Sequence, residues 1–376
     1  MTDKDIESKT IPDKATLSKT ASEKAAPGMK QEWRHALSTA FKIVFPIGIS
    51  VWMVMWLMSK VDIEQMRDIV SRECDFWWVA AMMVISVFSH IFRGIRWGIQ
   101  LRGAGLKRVS VMVESVSIFG AYALNLLFPL LGETWRCLFM ARKEGAKVST
   151  VVGTDLGDRF SDAVAILLLF ALALALAHDK MVAFLQHYRL GEWLLNIISN
   201  PWLWVGIGVL AAICVVGGIA FRDRRFMAGI TSTVRNLWRS FAVMFRMKGI
   251  PMYLLLTAAI WICYYLETYI CFFAFPFTRE LITQPGSLWG LVPGLVAFVF
   301  GSFSIAIPSN GGLGPWNVAV TYSLTLFGVG YTDGASFSMV VWGFRAATLV
   351  VLGLFSAGYI AFEKRRGHIV PESART

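Results

Sequence analysis

"TDLGDRFSDAVAILLLFALALALA", residues 154–177, sets four charged side chains directly ahead of fifteen consecutive apolar residues. As a helix, Ala163 to Ala177 would extend about 22 Å, short of the ~30 Å hydrocarbon layer of a bilayer. A helix that crosses must therefore draw in the preceding turns, and with them Asp158, Arg159 and Asp162. Each charge facing lipid near the centre costs on the order of 2.5–3.5 kcal/mol, so these side chains need a protein interior or water. Asp155, Asp158, Arg159 and Asp162 fall at i, i+3, i+4 and i+7, a single helix face. Arg159 stands one turn from Asp155 and from Asp162. Three carboxylates against one guanidinium still leave a negative excess. Arg136, with Glu133 beside it, and Arg345 are the candidate neutralising partners.

The remainder of the chain fits that reading. Of 376 residues 56% are hydrophobic and only 16% charged, against about a quarter charged in soluble domains. The expected class is all-α, a polytopic helical membrane protein. The net charge of +11 sits mainly in short loops between apolar runs, which encodes membrane orientation and gives no reason to expect a nucleic-acid partner. Cys74, Cys137, Cys214, Cys263 and Cys271 are odd in number and lack metal-ligand spacing, so no disulfide framework and no metal site is expected. Nucleophile elbow, P-loop, metal-binding histidine cluster and nucleotide-binding glycine fingerprint are all missing from the sequence; neither an enzyme nor a cofactor is expected. Residues 1–35 are polar, with Lys4, Lys9, Lys14, Lys19 and Lys24, and read as a disordered cytoplasmic tail without a cleavable signal.

Apolar segments lie at about 37–58, 77–99, 111–131, 150–177, 202–220, 253–275, 288–307, 315–329 and 336–360. Basic connectors near 102 and 235 and at the C-terminus belong in the cytoplasm, as does the amino terminus. An even number of crossings must separate the first two connectors, yet three apolar segments do. The segment 111–131 ends in "FPLLGE", whose Pro129 and Gly132 disfavour continued helix, and is expected to turn back. The uncharged "PSNGGLG" between 288–307 and 315–329 likewise reads as the tip of a re-entrant hairpin, irregular backbone tolerated only inside protein or beside water. The result is about six full spans plus two re-entrant segments, in inverted repeats over 36–177 and 202–360, with a cytoplasmic tail from 361 to 376.

Other features have two readings each. The charged face of 155–162 is either a substrate site or an ion-pair network that holds helices in register. "HIFRGIRWGIQLRG" places Arg93, Arg96 and Trp97 near a span end, where an interfacial anchor is the favoured reading and lipid-phosphate contact by Arg93 and Arg96 the alternative. "IPSNGGLGPWN", with Asn310 and Gly312, is either an anion site at a helix start or a tight turn. Glu114 and Glu267 are isolated acids in apolar segments.

"RGIRW", "FPLLGETWR", "GDRFSD" and "PSNGGLG", in this order, resemble the transmembrane region of lysylphosphatidylglycerol synthases and related flippase-like integral membrane proteins, over about residues 40–360. The resemblance implies movement of a lipid between leaflets, without aminoacyl transfer, since no synthase domain is expected here. It matches Glu133 and Arg136 to a Gly-Glu-x-x-Arg pattern, and Asp158, Arg159 and Asp162 to an acid-Arg-x-x-Asp pattern. After the second glycine motif the family commonly has an acid where this chain has Asn317. The expected function is lipid translocation in the bacterial cytoplasmic (inner) membrane, acting on a phospholipid or lipid-linked substrate, with a lipid-modifying enzyme as a further partner. A non-transporting scaffold and a membrane enzyme are the alternatives.

Overall fold

The computed structural model describes residues 29–180 except 107–109, isolated positions between 182 and 212, and residues 224–366 except 305. Among the described residues the chain is 84% helix and has no strand. Residues 1–28 of the expected tail, most of the expected span at 202–220, and residues 367–376 lie outside them.

Helix α1 is Met29–Met58, and so begins before the boundary expected at residue 36. After a bend of 100°, α2 (Ile63–Asp68) runs into a π-helical turn over Ile69–Glu73. The carboxylate of Asp62 starts α2 by accepting from the backbone N–H groups of Glu64 and Gln65. Helix α3 (Phe76–Gly103) is capped in the same way by Asp75, which accepts from Trp77 N at 3.1 Å. Then come α4 (Val111–Leu127), α5 (Leu131–Glu144), α6 (Val148–Leu176), α7 (Arg224–Ala242), α8 (Ile250–Ile270) and α9 (Pro276–Thr283). Helices α10 (Leu291–Ser304), α11 (Pro315–Thr325) and α12 (Tyr331–Arg365) complete the described chain.

Among the described residues four helical segments are long and apolar enough to cross a membrane: Phe76–Gly103, Val148–Leu176, Ile250–Ala274 and Tyr331–Arg365. A fifth is available if the bent pair Val44–Met58 and Ile63–Glu73 is one span. The third includes the 3-10 turn Cys271–Ala274 at the end of α8.

Two antiparallel hairpins fill the spaces between the long helices. In the first, α4 packs on α5; in the second, α10 packs on α11. At ~1.5 Å per residue the arms reach about 25 and 21 Å in the first and about 21 and 16 Å in the second, all less than ~30 Å. The expected break at "FPLLGE" is real: Phe128 is extended, and Leu130 takes a left-handed φ of 66° before α5 begins. Gly132 is required there, because a Cβ at that position would lie 1.9 Å from the carbonyl oxygen of Ala121. In the second hairpin Gly314, at φ 89°, turns the chain into Pro315 at the first position of α11.

Two of the apolar clusters lie at the two ends of α3. Near its start, Val79 and Met82 join Phe272, Phe275, Trp316, Val320 and Phe337. Near its finish, Trp97 and Leu101 pack with Ile118, Cys137, Met140 and Val151. The middle of α3 therefore faces neither apolar core, and its buried side chains there are polar. Helix α7 lies against α6, close enough that a Cβ on Gly153 would meet Leu237 O at 2.6 Å. Its outward side carries Val234 and Trp238 beside Arg235 and Arg239, all exposed, the pattern of a helix lying at a membrane surface.

Candidate functional site

Ser86, Ser89, His90, Arg93, Arg96, Trp97 and Gln100 are all buried. Their spacing follows the helical period, so they form one inward stripe along α3. Fourteen residues of rise carry it about 21 Å, most of a hydrocarbon layer. This corrects the anchor reading of Arg93 and Arg96. Their side chains are 3% and 0% exposed, and an interfacial anchor would have its guanidinium in the headgroup region.

Three helices bring the charges together. Arg96 Nη2 on α3 lies 2.7 Å from Asp158 Oδ1 and 2.8 Å from Asp162 Oδ1 on α6. Arg93 pairs with Asp162 and lies 3.7 Å from Asp158 Oδ2. Arg136 on α5 pairs with Asp155 and lies 3.8 Å from Asp158 Oδ2. Arg159 pairs with Glu133 on α5 rather than with Asp155 or Asp162 on its own helix, which corrects the expected partner. Arg93, Arg96, Arg136 and Arg159 thus face Glu133, Asp155, Asp158 and Asp162. The negative excess read from α6 alone disappears once α3 contributes its arginines.

Aromatic and hydroxyl groups hold the guanidinium planes. Arg136 lies over the ring of Trp97 at 4.5 Å, Arg93 over Tyr122 at 5.5 Å and Arg96 over Tyr253 at 5.5 Å. Arg93 Nη1 donates to Tyr264 Oη at 3.0 Å, and Arg96 Nη1 to Thr257 Oγ1 at 3.3 Å, both from α8. Gln100 donates to Tyr253, whose hydroxyl donates in turn to Ser161 at 2.7 Å, tying α3, α8 and α6 together. Asn125 fixes the hairpin tip by accepting from Gly132 N at 2.8 Å and donating to Glu133 Oε1 at 3.0 Å.

Donors remain unused inside this cluster. Nε of Arg93, Arg96 and Arg136, and Nη1 of Arg136, are buried without a hydrogen-bond partner among the described residues. The cluster also has an open edge: the Arg159 side chain is 41% exposed, against 1% for Arg136. Its neighbours along the chain at that edge, Leu156 and Phe160, and Leu130 and Leu131 at the hairpin tip, are exposed and apolar. A guanidinium-rich interior that opens through an apolar surface can hold an anion whose remainder stays in hydrocarbon.

The other expected site residues lie elsewhere. Arg345 on α12 faces Glu267 on α8, with Nε 3.5 Å from Oε2. Asn310, at the tip of the second hairpin, donates from Nδ2 to Leu127 O at the tip of the first, at 2.7 Å, and its backbone N–H donates to Ser50 at 3.1 Å. Gly312 is buried, and its carbonyl accepts from Trp316 N at 3.0 Å. The start of α11 is capped from within: Asn317 Oδ1 accepts from Gly314 N at 3.1 Å, and Asn317 Nδ2 donates to Ser338 O at 3.0 Å. That geometry matches the tight-turn reading of "IPSNGGLGPWN". Glu114 pairs with Arg102 at 2.7 Å, at the end of α3 beyond the cluster. Sequence reasoning gave Arg93 a site role only as the less favoured reading and missed Tyr122, Tyr253 and Tyr264 as members; the signal for Arg93 was the helical spacing of Ser86, Ser89, His90, Arg93 and Arg96, while the tyrosines carried none.

A family model described as the lysylphosphatidylglycerol synthase TM region matches residues 43–355, a stretch that contains every member of the charged cluster. No curated protein and no solved structure matches the chain.

Proposed function

We propose a function that starts from kinship: this chain belongs to the lysylphosphatidylglycerol synthase TM-region family. We infer that it translocates a phospholipid or lipid-linked anion between leaflets, as a carrier and not as an enzyme. The observation that carries this reading is the buried, charge-balanced arginine–carboxylate cluster, with unused guanidinium donors and an apolar open edge at Arg159. A headgroup phosphate would compete with a carboxylate for a guanidinium at the open edge, while the acyl chains stay in lipid.

The architecture that serves this function has six spans and two re-entrant hairpins in inverted repeats, within a bacterial cytoplasmic membrane. Both termini are cytoplasmic, in keeping with Arg235, Arg239, Arg246 and Lys248 beside α7 and with Lys364, Arg365 and Arg366 at the end of α12. The hairpins would then reach in from opposite sides and meet at Asn310 and Leu127, whose hydrogen bond supports this placement. A lipid-modifying enzyme is the natural supplier of the cargo.

Reconstitution into vesicles containing a panel of fluorescent phospholipids, with quencher added outside, tests the reading. The protein should move at least one headgroup class faster than empty vesicles do. Arg159→Gln, at the open edge where folding is least affected, should slow that movement about tenfold, the equivalent of one charge-assisted contact. Rates equal to those of empty vesicles across the panel would falsify the reading.

A further inference from the structure

Halfway along α3, outside the arginine–carboxylate cluster, lies a second polar group that the proposed phosphate site does not use. Ser89 and His90 on α3 face Glu267 on α8 and Arg345 on α12. Glu267 is 3% and His90 1% exposed. The hydroxyl of Ser89 has one proton and two acceptors in reach, Ser86 O at 2.8 Å and Glu267 Oε1 at 3.1 Å. His90 Nδ1 lies 2.7 Å from the same Ser86 carbonyl, which can only accept, so Nδ1 carries a proton. His90 Nε2 and Glu267 Oε2 are buried without a hydrogen-bond partner among the described residues.

Donors and acceptors do not balance in this group. With Glu267 ionised, the Ser86 carbonyl is already answered by His90 Nδ1–H and Ser89 can donate to Oε1, but Oε2 has no hydrogen-bond donor among the described residues. With one proton added to Glu267, its O–H donates to Ser89 Oγ, and the Ser89 proton turns wholly to Ser86 O. The pair with Arg345 is looser than those of the cluster, 3.5 Å through Nε alone, and the Arg345 side chain is 28% exposed. Protonation of Glu267 therefore leaves one reachable guanidinium without a counter-charge.

We propose that Glu267 and Arg345 form a proton-linked anion site: uptake of a proton by Glu267 releases Arg345 to bind a lipid phosphate, so that proton and lipid travel together. This rests on the translocation reading above and adds its energy source. The step is a bare protonation, carboxylate plus H⁺ to carboxylic acid, with no other bond made or broken. The groups facing it from each packed element are Arg93 and His90 on α3, Tyr122 on α4, Tyr264 and Cys263 on α8, Cys271 just after α8, and Arg345 on α12. A link to the main cluster runs through Tyr264, whose hydroxyl accepts from Arg93 and whose ring lies 5.8 Å from the Arg345 guanidinium.

The test uses full-length protein in vesicles carrying fluorescent phosphatidylglycerol and an internal pH dye, with and without an imposed pH gradient. Wild type should move lipid several-fold faster down the proton gradient than at equal pH, and lipid movement should acidify the destination side. Glu267→Gln should abolish the gradient response, and Arg345→Gln should slow translocation at every pH. Lipid movement by wild type that ignores the gradient and moves no protons would overturn the coupling and leave the translocation reading intact. Movement no faster than in empty vesicles would instead remove the translocation reading, and the coupling with it. Because wild type alone can support or overturn the coupling, the test survives a variant that fails to fold; a folded Glu267→Gln protein that keeps the gradient response also overturns it.

Discussion

The hairpin Val111–Glu144 sends Glu133 and Arg136 into the ion cluster, whereas the hairpin Leu291–Thr325 contains no charged side chain at all. Both turn at a Pro/Gly break, both have arms too short to cross, and their tips meet where Asn310 bonds to Leu127 O. What differs is how each satisfies its buried polar groups. The first exchanges hydrogen bonds and ion pairs with α6, through Arg136 and Glu133. The second uses neutral hydrogen bonds to backbone, Asn317 accepting from Gly314 N of its own hairpin and donating to Ser338 O of α12. A shared backbone plan thus carries buried charges in one hairpin and none in the other.

The largest effect should come from breaking the charged hairpin. Arg136→Ala strands Asp155 beside Asp158, and removal of one partner from a buried pair costs on the order of 3–5 kcal/mol. Thermal unfolding in detergent should show a marked fall in Tm, and a Tm within error of wild type would mean that Arg136 is solvated. In the neutral hairpin, Asn317→Ala removes a helix cap and the tie to α12, so a loss of about 1–2 kcal/mol is expected. The same melting assay checks it. A loss as large as that of Arg136→Ala would erase the distinction between the two hairpins. The smallest effect belongs to Arg72→Gln, below about 1 kcal/mol, because both side chains of its pair with Asp68 are exposed and solvent screens them. Melting of this variant at low and high salt should differ little from wild type.

The reading of the charges succeeded on one helix and failed between helices. Asp155, Asp158 and Asp162 share the inward face that their spacing requires, and their burial follows from it. Arg159, four residues from Asp155, could as well have bonded along its own helix; it reaches Glu133 because α5 packs against α6 at that level. Arg93 and Arg96 looked like anchors because they stand near the end of an apolar run, beside a tryptophan. Their polar neighbours one and two turns earlier, Ser89, His90 and Ser86, mark instead a stripe that packing buries against α6 and α8. Arg345 was grouped with the wrong acids for the same reason, since nothing local shows that α12 meets Glu267.

Membrane character, helical class and the chain breaks at Pro129 and at Gly311–Gly314 were settled by the amino-acid sequence by itself, because hydrophobic run length, helical period and backbone permissiveness are local properties. Which guanidinium answers which carboxylate was decided only in three dimensions. An ion pair between Arg96 and Asp162 joins positions 66 residues apart, and its energy depends on the approach of two helices and the exclusion of water between them, neither of which is written in the order of residues along either one.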